Sequence, residues 1–337
     1  MKKLIVGIAV SAIFIYLALR GVEAEEVIAG LYDKKCVFLL PAAFVVILMQ
    51  IARSLRWQIL LSPIKVIPQK RLFPITSIGI MAMILAPMRL GEFVRPYLIN
   101  RKESVPLGSG FATILIERSI DLLLLLVFLF LVISQVPVPD WVAEGGQALL
   151  SIIVLEFLSI ILFMIFPEKI KRMILPLTKR MPLKMAVALD GFIGNLAAGF
   201  RIIANGRKFA QVLFLSFSIW FFSSSTVYFL FYFYRLPLGI FEALGVTTVT
   251  SLGVSLPAAP GLIGNFQFAC IFSLSFWGVA KSDAFTFAMV YYFLSVGINI
   301  LIGLIFLPSI DIPLRELFRI KTTRSGGESS SPPARNR

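Results

Sequence analysis

Three short segments gather arginines and carboxylates inside a chain that is otherwise mostly hydrocarbon. "IARSLRWQILL" sets Arg53 and Arg56 three apart, with Trp57 and Gln58 beside them. "LAPMRLGEFVRPYLI" carries Arg89, Glu92 and Arg95 at i, i+3, i+6 between Pro87 and Pro96, and "ILIERSIDLLLLL" places Glu117, Arg118 and Asp121 just before a long apolar run. An ionisable group at bilayer depth costs about 2.5–3.5 kcal/mol on insertion scales, so a group of them persists only when paired or watered. Helical spacing puts Glu117 and Asp121 on one face and lets Glu92 pair with either arginine of its own segment. Guanidinium forks bind phosphate bidentately and stay charged when partly buried. Arg53, Arg56, Arg89, Arg95 and Arg118, with Glu92, Glu117 and Asp121 as acidic partners, are therefore candidates for a net-basic headgroup pocket at the cytoplasmic side of a helix bundle, suited to a lipid phosphate. The same charges also fit snorkelling at helix ends with neutralising ion pairs.

A second polar break, "SLPAAPGLIGNFQFA", brings Pro257, Pro260, Gly261 and Gly264 together ahead of Asn265 and Gln267. Proline removes a backbone donor and glycine permits close backbone approach, so an interrupted helix here would turn free backbone groups toward a cavity. Asn265 and Gln267 would then add neutral hydrogen bonds to a headgroup. A short surface loop between two spans fits the same letters. The first segment offers the matching break at Pro87 and Gly91, and paired breaks in two halves of a chain are the pattern of discontinuous helices in transporters.

The remaining chemistry is narrow. The chain has no His and two Cys, Cys36 and Cys270, both in apolar sequence, which leaves a disulfide framework, a metal centre, haem ligation and a His-dependent nucleophile unsupported. No Walker-type phosphate loop occurs, so no cofactor and no intrinsic ATP hydrolysis is expected, and the chain reads as a non-enzyme.

The elements that must position these residues follow from composition. With 58% hydrophobic and 15% charged residues and a mean hydropathy of +0.91, the chain is an integral membrane protein. Its long apolar runs predict an all-α polytopic transmembrane bundle of about eight spans, over 4–20, 36–56, 107–135, 148–166, 209–234, 241–257, 262–280 and 284–307, plus one or two re-entrant or broken helices. The run 72–87 is short for a span and stops at Pro87, which makes it re-entrant or half of a broken helix. The first run has a basic start but no small-x-small cleavage site before Arg20, so it is expected to stay as a helix.

Lys and Arg set the orientation. The segments 53–71 and 167–208 are rich in base, whereas "GVEAEEVIAGLYDKK" sets four acids against two lysines, so a multi-pass protein with both termini in the cytoplasm is expected. Residues 1–166 read as a first transmembrane group with the arginine-rich pocket, 167–208 as a basic amphipathic linker in the cytoplasmic interface or a solvated one, 209–310 as a second transmembrane group, and 311–337 as a disordered cytoplasmic tail. The net charge of +14 sits at membrane edges, where it suits anionic headgroups rather than nucleic acid.

The set "R-x-x-R-W", "R-L-G-E-x-x-R-x-Y-L", "E-R-x-x-D" and a late "P-G-x-x-G" resembles the transmembrane, flippase-like portion of lysylphosphatidylglycerol synthases, a family that also occurs as stand-alone membrane proteins. The resemblance covers about residues 5–310. It implies a bundle with a headgroup cavity that handles or flips an anionic phospholipid or a lipid-linked precursor such as a polyprenyl phosphate across the cytoplasmic membrane. It carries over to Arg53, Arg56, Arg89, Gly91, Glu92, Arg95, Glu117, Arg118, Asp121, Pro260, Gly261 and Gly264. Gln267 stands where family members often have an acid, which puts proton coupling there in doubt. Lysine transfer to lipid is not expected of this chain alone. Two other readings are a non-catalytic partner of a cell-envelope enzyme and a polyprenyl-phosphate-dependent glycosyltransferase, although the acidic outer loop is small for a sugar site.

Overall fold

A computed structural model describes residues 35–86, 91–136, 140–166, 191–195, 205–255 and 260–310, with single positions 169, 200 and 202. The first predicted span, most of the linker, the tail, Pro87, Arg89 and Pro257 lie outside the described residues. Those residues form an all-α bundle: α1 (Leu39–Leu61), α2 (Gln69–Leu85), α3 (Val94–Glu103), α4 (Leu107–Ile133), α5 (Asp140–Ile165), α6 (Gly206–Tyr234), α7 (Ile240–Ser255), α8 (Asn265–Ser275), α9 (Lys281–Tyr292) and α10 (Ile298–Phe306). A π-helical turn, Phe293–Gly297, joins α9 to α10 into one long rod.

Length sorts these helices into two kinds. At 1.5 Å per residue, α1, α4, α5, α6 and the α9–α10 rod reach or exceed the bilayer core of about 30 Å, whereas α2, α3, α7 and α8 reach only about 15–25 Å. Cys36–Leu61, Gly206–Tyr234 and Lys281–Ile310 are long and apolar enough to cross a membrane. On α1 the exposed side chains Leu40, Phe44, Ile47, Ile51 and Leu55 recur every three or four residues, a stripe made for lipid.

The short helices pair into two hairpins. At the end of α3, Glu103 returns to the α1–α2 connection, where its carboxylate meets Lys65 Nζ in the loop at 3.0 Å and Arg71 in the first turn of α2 at 3.5 Å. The first hairpin thus begins and ends on one side of the bundle. In the second, Gly245 near the start of α7 lies against the Trp277 ring just past α8, and Gly253 lies against Ala269, so this hairpin also returns to its own starting side.

The two hairpins start from opposite sides. α1 and α6 pack antiparallel along their lengths. Lys208 Nζ at the start of α6 donates to Ser62 Oγ beyond the end of α1 at 2.9 Å, while at the other end Phe38 stacks on Tyr232 with ring centroids 5.2 Å apart. The first hairpin follows the end of α1 and the second follows the end of α6. Each half then reads long helix, hairpin, long helix, and the halves are inverted: α2 packs on α10 as α7 packs on α4. This is the inverted-repeat plan of many transporters.

The runs 241–257 and 262–280, expected as full spans, are instead the two arms of the second hairpin. Hydropathy counts apolar residues whether or not they are helical, and the latter run includes Gly264 and Gly278, both at positive φ outside any helix. The run 72–87 falls in α2, the first arm of the other hairpin, while the polar α3 had no hydropathy signal. Arg53 and Arg56 sit inside α1, as expected of the second predicted span, and the helix runs on to Leu61. Part of the 167–208 segment packs on the bundle: Ser109 Oγ donates to the Asn195 carbonyl at 2.8 Å, and Phe200 and Ile202 are buried in the core around Trp57 and Leu60.

Candidate functional site

The charged residues of the first half converge in the middle of the bundle. Arg56, one turn past Arg53 on α1, is only 1% exposed. It pairs with both carboxylates of α4, meeting Glu117 at 3.0 Å and forking onto Asp121 at 2.5 and 3.2 Å, and it donates to Ser216 Oγ on α6 at 2.9 Å. Arg95 of α3 forks onto Glu117 at 2.9 and 3.1 Å, with its guanidinium 4.3 Å above the Trp57 ring. Arg118 reaches Glu117 at 3.1 Å and Asp121 at 3.4 Å.

Local sequence explains how these charges fit. Glu117 and Asp121 face the same way because they are one helical turn apart. Gly79 on α2 has no Cβ, and the stem of Arg95 fills that space. Trp57 is locked by its Nε1 donating to Thr113 Oγ1 at 3.1 Å, which fixes the ring under Arg95. Glu117, 2% exposed, is shared among three arginines, so the charges are paired within the bundle, which is how they persist at bilayer depth; the Nε of Arg56, Arg95 and Arg118 has no hydrogen-bond partner among the described residues.

Arg53 is the exception. It lies on the same helix one turn away, partly buried, and among the described residues its guanidinium makes no hydrogen bond or ion pair. It faces a cavity of about 480 Å³. Four described arginines (Arg53, Arg56, Arg95, Arg118) stand against three carboxylates (Glu92, Glu117, Asp121), so the cluster carries one excess positive charge, which Arg53 presents to open space. The donors of a free guanidinium in such a place match the oxygens of a phosphate.

The cavity is bounded by both halves. Arg53, Glu92, Arg95, Glu117, Arg118 and Asp121 form one wall, and Trp220, Ser223, Thr250, Ser251, Tyr291, Ser295 and Asn299 form the other, with Met49, Ile80, Leu122 and Phe266 among the apolar lining. These residues come from the middle turns of α1, α4, α6 and the α9–α10 rod and from the inner ends of the hairpins. The pocket is therefore central in the bundle, not at one end of it. Paired charges can sit this deep because their neutralisation is built in, whereas a snorkelling arginine must reach the interface.

Other predicted residues have other work. Gln267 does not line this cavity; its Oε1 accepts from Gly264 N–H at 2.8 Å, so it caps α8, and its Nε2 sits 3.9 Å from Met289 Sδ. Asn265, 1% exposed, begins α8 and is likewise absent from the cavity wall. Gly91 lies directly against the backbone of Ala82, which holds the first hairpin closed. Pro260 and Gly261 form a short 3-10 turn, and Tyr292 Oη donates to the Gly261 carbonyl at 2.6 Å. Gly261 and Gly264 take φ of +81° and +88°, values open to glycine, and the chain reverses through them.

The hydroxyl wall escaped the sequence reading. Single Ser and Thr residues in apolar helices usually bond their own i−4 carbonyl, as Ser255 does to Ser251 at 2.8 Å, so their presence in "SFSIWFFSSST" and "GVTTVTSLGVS" carried little signal. Only the packing of α6, α7 and the α9–α10 rod places them opposite the arginines.

Comparison with known proteins finds relatives among membrane proteins. A UPF0104 membrane protein of Methanocaldococcus jannaschii is 27% identical over 226 residues, covering 66% of this chain and 90% of its own. A UPF0104 membrane protein of Methanothermobacter thermautotrophicus is 22% identical over 294 residues, covering 83% and 86% respectively. The model of the lysylphosphatidylglycerol synthase TM region matches residues 4–303, nearly the whole chain, and the protein belongs to that family.

Proposed function

We propose that this protein binds an anionic lipid by its phosphate in the central cavity and moves it between the leaflets of a cell membrane, making and breaking no covalent bond. One observation carries the reading: Arg53, a guanidinium with no hydrogen bond or ion pair among the described residues, lines a cavity in the middle of a transmembrane bundle. A bare charge there is costly unless a ligand or water offsets it. Hairpins that enter from opposite sides support the translocation step, since inverted repeats place a site that either side can reach in turn. By the distribution of Lys65, Lys70, Arg71, Arg207 and Lys208, the first hairpin enters from the cytoplasm and both termini lie there.

Reconstitution tests this. Proteoliposomes carrying a fluorescent phosphatidylglycerol in both leaflets are treated with dithionite, which quenches only the outer one. The wild type is expected to expose the inner pool, and Arg53→Ala, inserted at the same level, is expected to leave it protected. Equal exposure by both proteins would contradict the reading and favour a non-catalytic partner of a cell-envelope enzyme.

A further inference from the structure

The tips of the two hairpins meet at one tyrosine. Tyr292 ends α9, directly before the π-helical turn, and its ring packs on the cluster formed by Ile80 and Ile84 of α2 with Val296 of that turn. Its hydroxyl donates to the Gly261 carbonyl at 2.6 Å, and α2 itself packs on the Pro260–Leu262 turn that carries this carbonyl. Tyr292 also stands edge-on to Phe266, with ring centroids 5.4 Å apart. Met83, Ile84 and Glu92 from the first hairpin and Leu262 and Phe266 from the second all line the Arg53 cavity, so the seam between the tips is part of its wall.

The two hairpins are held differently. The first is fastened by ion pairs, Arg95 onto Glu117 and Glu103 onto Lys65 and Arg71, and by Gly91 lying against the Ala82 backbone. The second, residues 240–275, contains a single charged residue, Glu242, which accepts from the Gly239 N–H at the hairpin's base. Its tip is strained: Leu262 takes φ of +62°, a region that a bulky side chain rarely adopts, between Gly261 at +81° and Gly264 at +88°. Such a backbone persists only where its surroundings hold it. The holding residue, Tyr292, adjoins a π turn, a widening of the helix that often marks a functional position. We propose that the Tyr292–Gly261 hydrogen bond is a latch: while it is made, the tip of the second hairpin closes the seam, and when it breaks, the tip relaxes and opens the cavity to its ligand while the first hairpin stays fixed. The inference rests on the reading of this cavity as a binding site and adds how entry to it is controlled.

Cysteine accessibility tests it without reference to the ligand. Leu122, on α4 and in neither hairpin, lines the cavity, whereas Cys270 is buried in the core of the second half. The full-length Leu122→Cys protein, with Cys36→Ser, is placed in phosphatidylcholine nanodiscs and treated with a charged maleimide, and modification at positions 122 and 270 is followed by peptide mass spectrometry. Tyr292→Phe, which keeps the ring and removes the hydroxyl, is expected to speed modification of position 122 about fivefold, the scale of one hydrogen bond, and to leave Cys270 unmodified. Gly261→Ala, whose Cβ would stand 3.2 Å from the Tyr292 hydroxyl, is expected to speed it as well, and adding Tyr292→Phe to it should change little more, because both break one contact. Equal rates with and without Tyr292→Phe, fully additive effects of the two changes, or modification of Cys270 in step with position 122 would each overturn the latch, whatever the cavity binds. The expected rates in a protein whose lipid retention does not depend on Arg53 would keep the latch and overturn the anionic-lipid reading.

Discussion

The two halves share one backbone plan and divide the chemistry between them. In the first half, Arg56, Arg95 and Arg118 stand against Glu92, Glu117 and Asp121 in equal number, and Arg53 is the excess charge among the described residues. In the second half the cavity is lined instead by neutral polar residues, among them Trp220, Ser223, Thr250, Ser251, Ser295 and Asn299. Charge in the first half is mostly paired across helices, while the polar lining of the second half is neutral.

Breaking the scaffold should have the largest effect. Glu117→Ala leaves Arg56, Arg95 and Arg118 without their shared carboxylate, and removing one partner of a buried ion pair costs about 3–5 kcal/mol. We expect loss of folded protein in detergent by size-exclusion chromatography. Thr247→Ala, a buried truncation in the second half, should be far milder.

The hairpin tips come next. Gly91→Ala would drive a methyl into the Ala82 backbone, which has little room to yield, and overpacking of this kind costs about 1–3 kcal/mol. A drop of several degrees in the unfolding temperature is expected. Gly303→Ala meets the Met81 side chain instead, and because methionine is adaptable the shift should be clearly smaller.

Arg53→Ala sharpens the comparison most, since its stability effect is expected to be the smallest of the charged-residue changes. Among the described residues it breaks no hydrogen bond or ion pair, and it removes the excess charge of the cluster, so the unfolding temperature should hold or rise. A fall comparable to that of Glu117→Ala would place Arg53 inside the scaffold instead.

Much of this site was legible because charge in an apolar run is costly and therefore informative. Arg53, Arg56, Arg95, Glu117, Arg118 and Asp121 stood out by type and spacing, and the structure brings all of them to one place. Their roles were less legible, since nothing in "RSLRW" distinguishes Arg56, which is bound four ways, from Arg53, which is bound to nothing described. That difference depends on which face of α1 meets α4 and α6. Gln267 shows the opposite error: a polar residue beside a helix break reads as a ligand-binding group, but the break itself creates an unsatisfied N–H, and Gln267 answers it. The hairpin arms at 240–255 and 265–275 were visible as apolar runs, while their shortness was hidden in glycine-rich turns that hydropathy does not register.

The most direct test is native mass spectrometry of the gently solubilised protein, comparing lipids that stay bound to the wild type and to Arg53→Ala at matched unfolding temperature. The account predicts that the wild type retains an anionic lipid and that the variant loses at least about tenfold of that retention, as expected for a charge-assisted phosphate contact. Identical lipid retention by two equally stable proteins would contradict it.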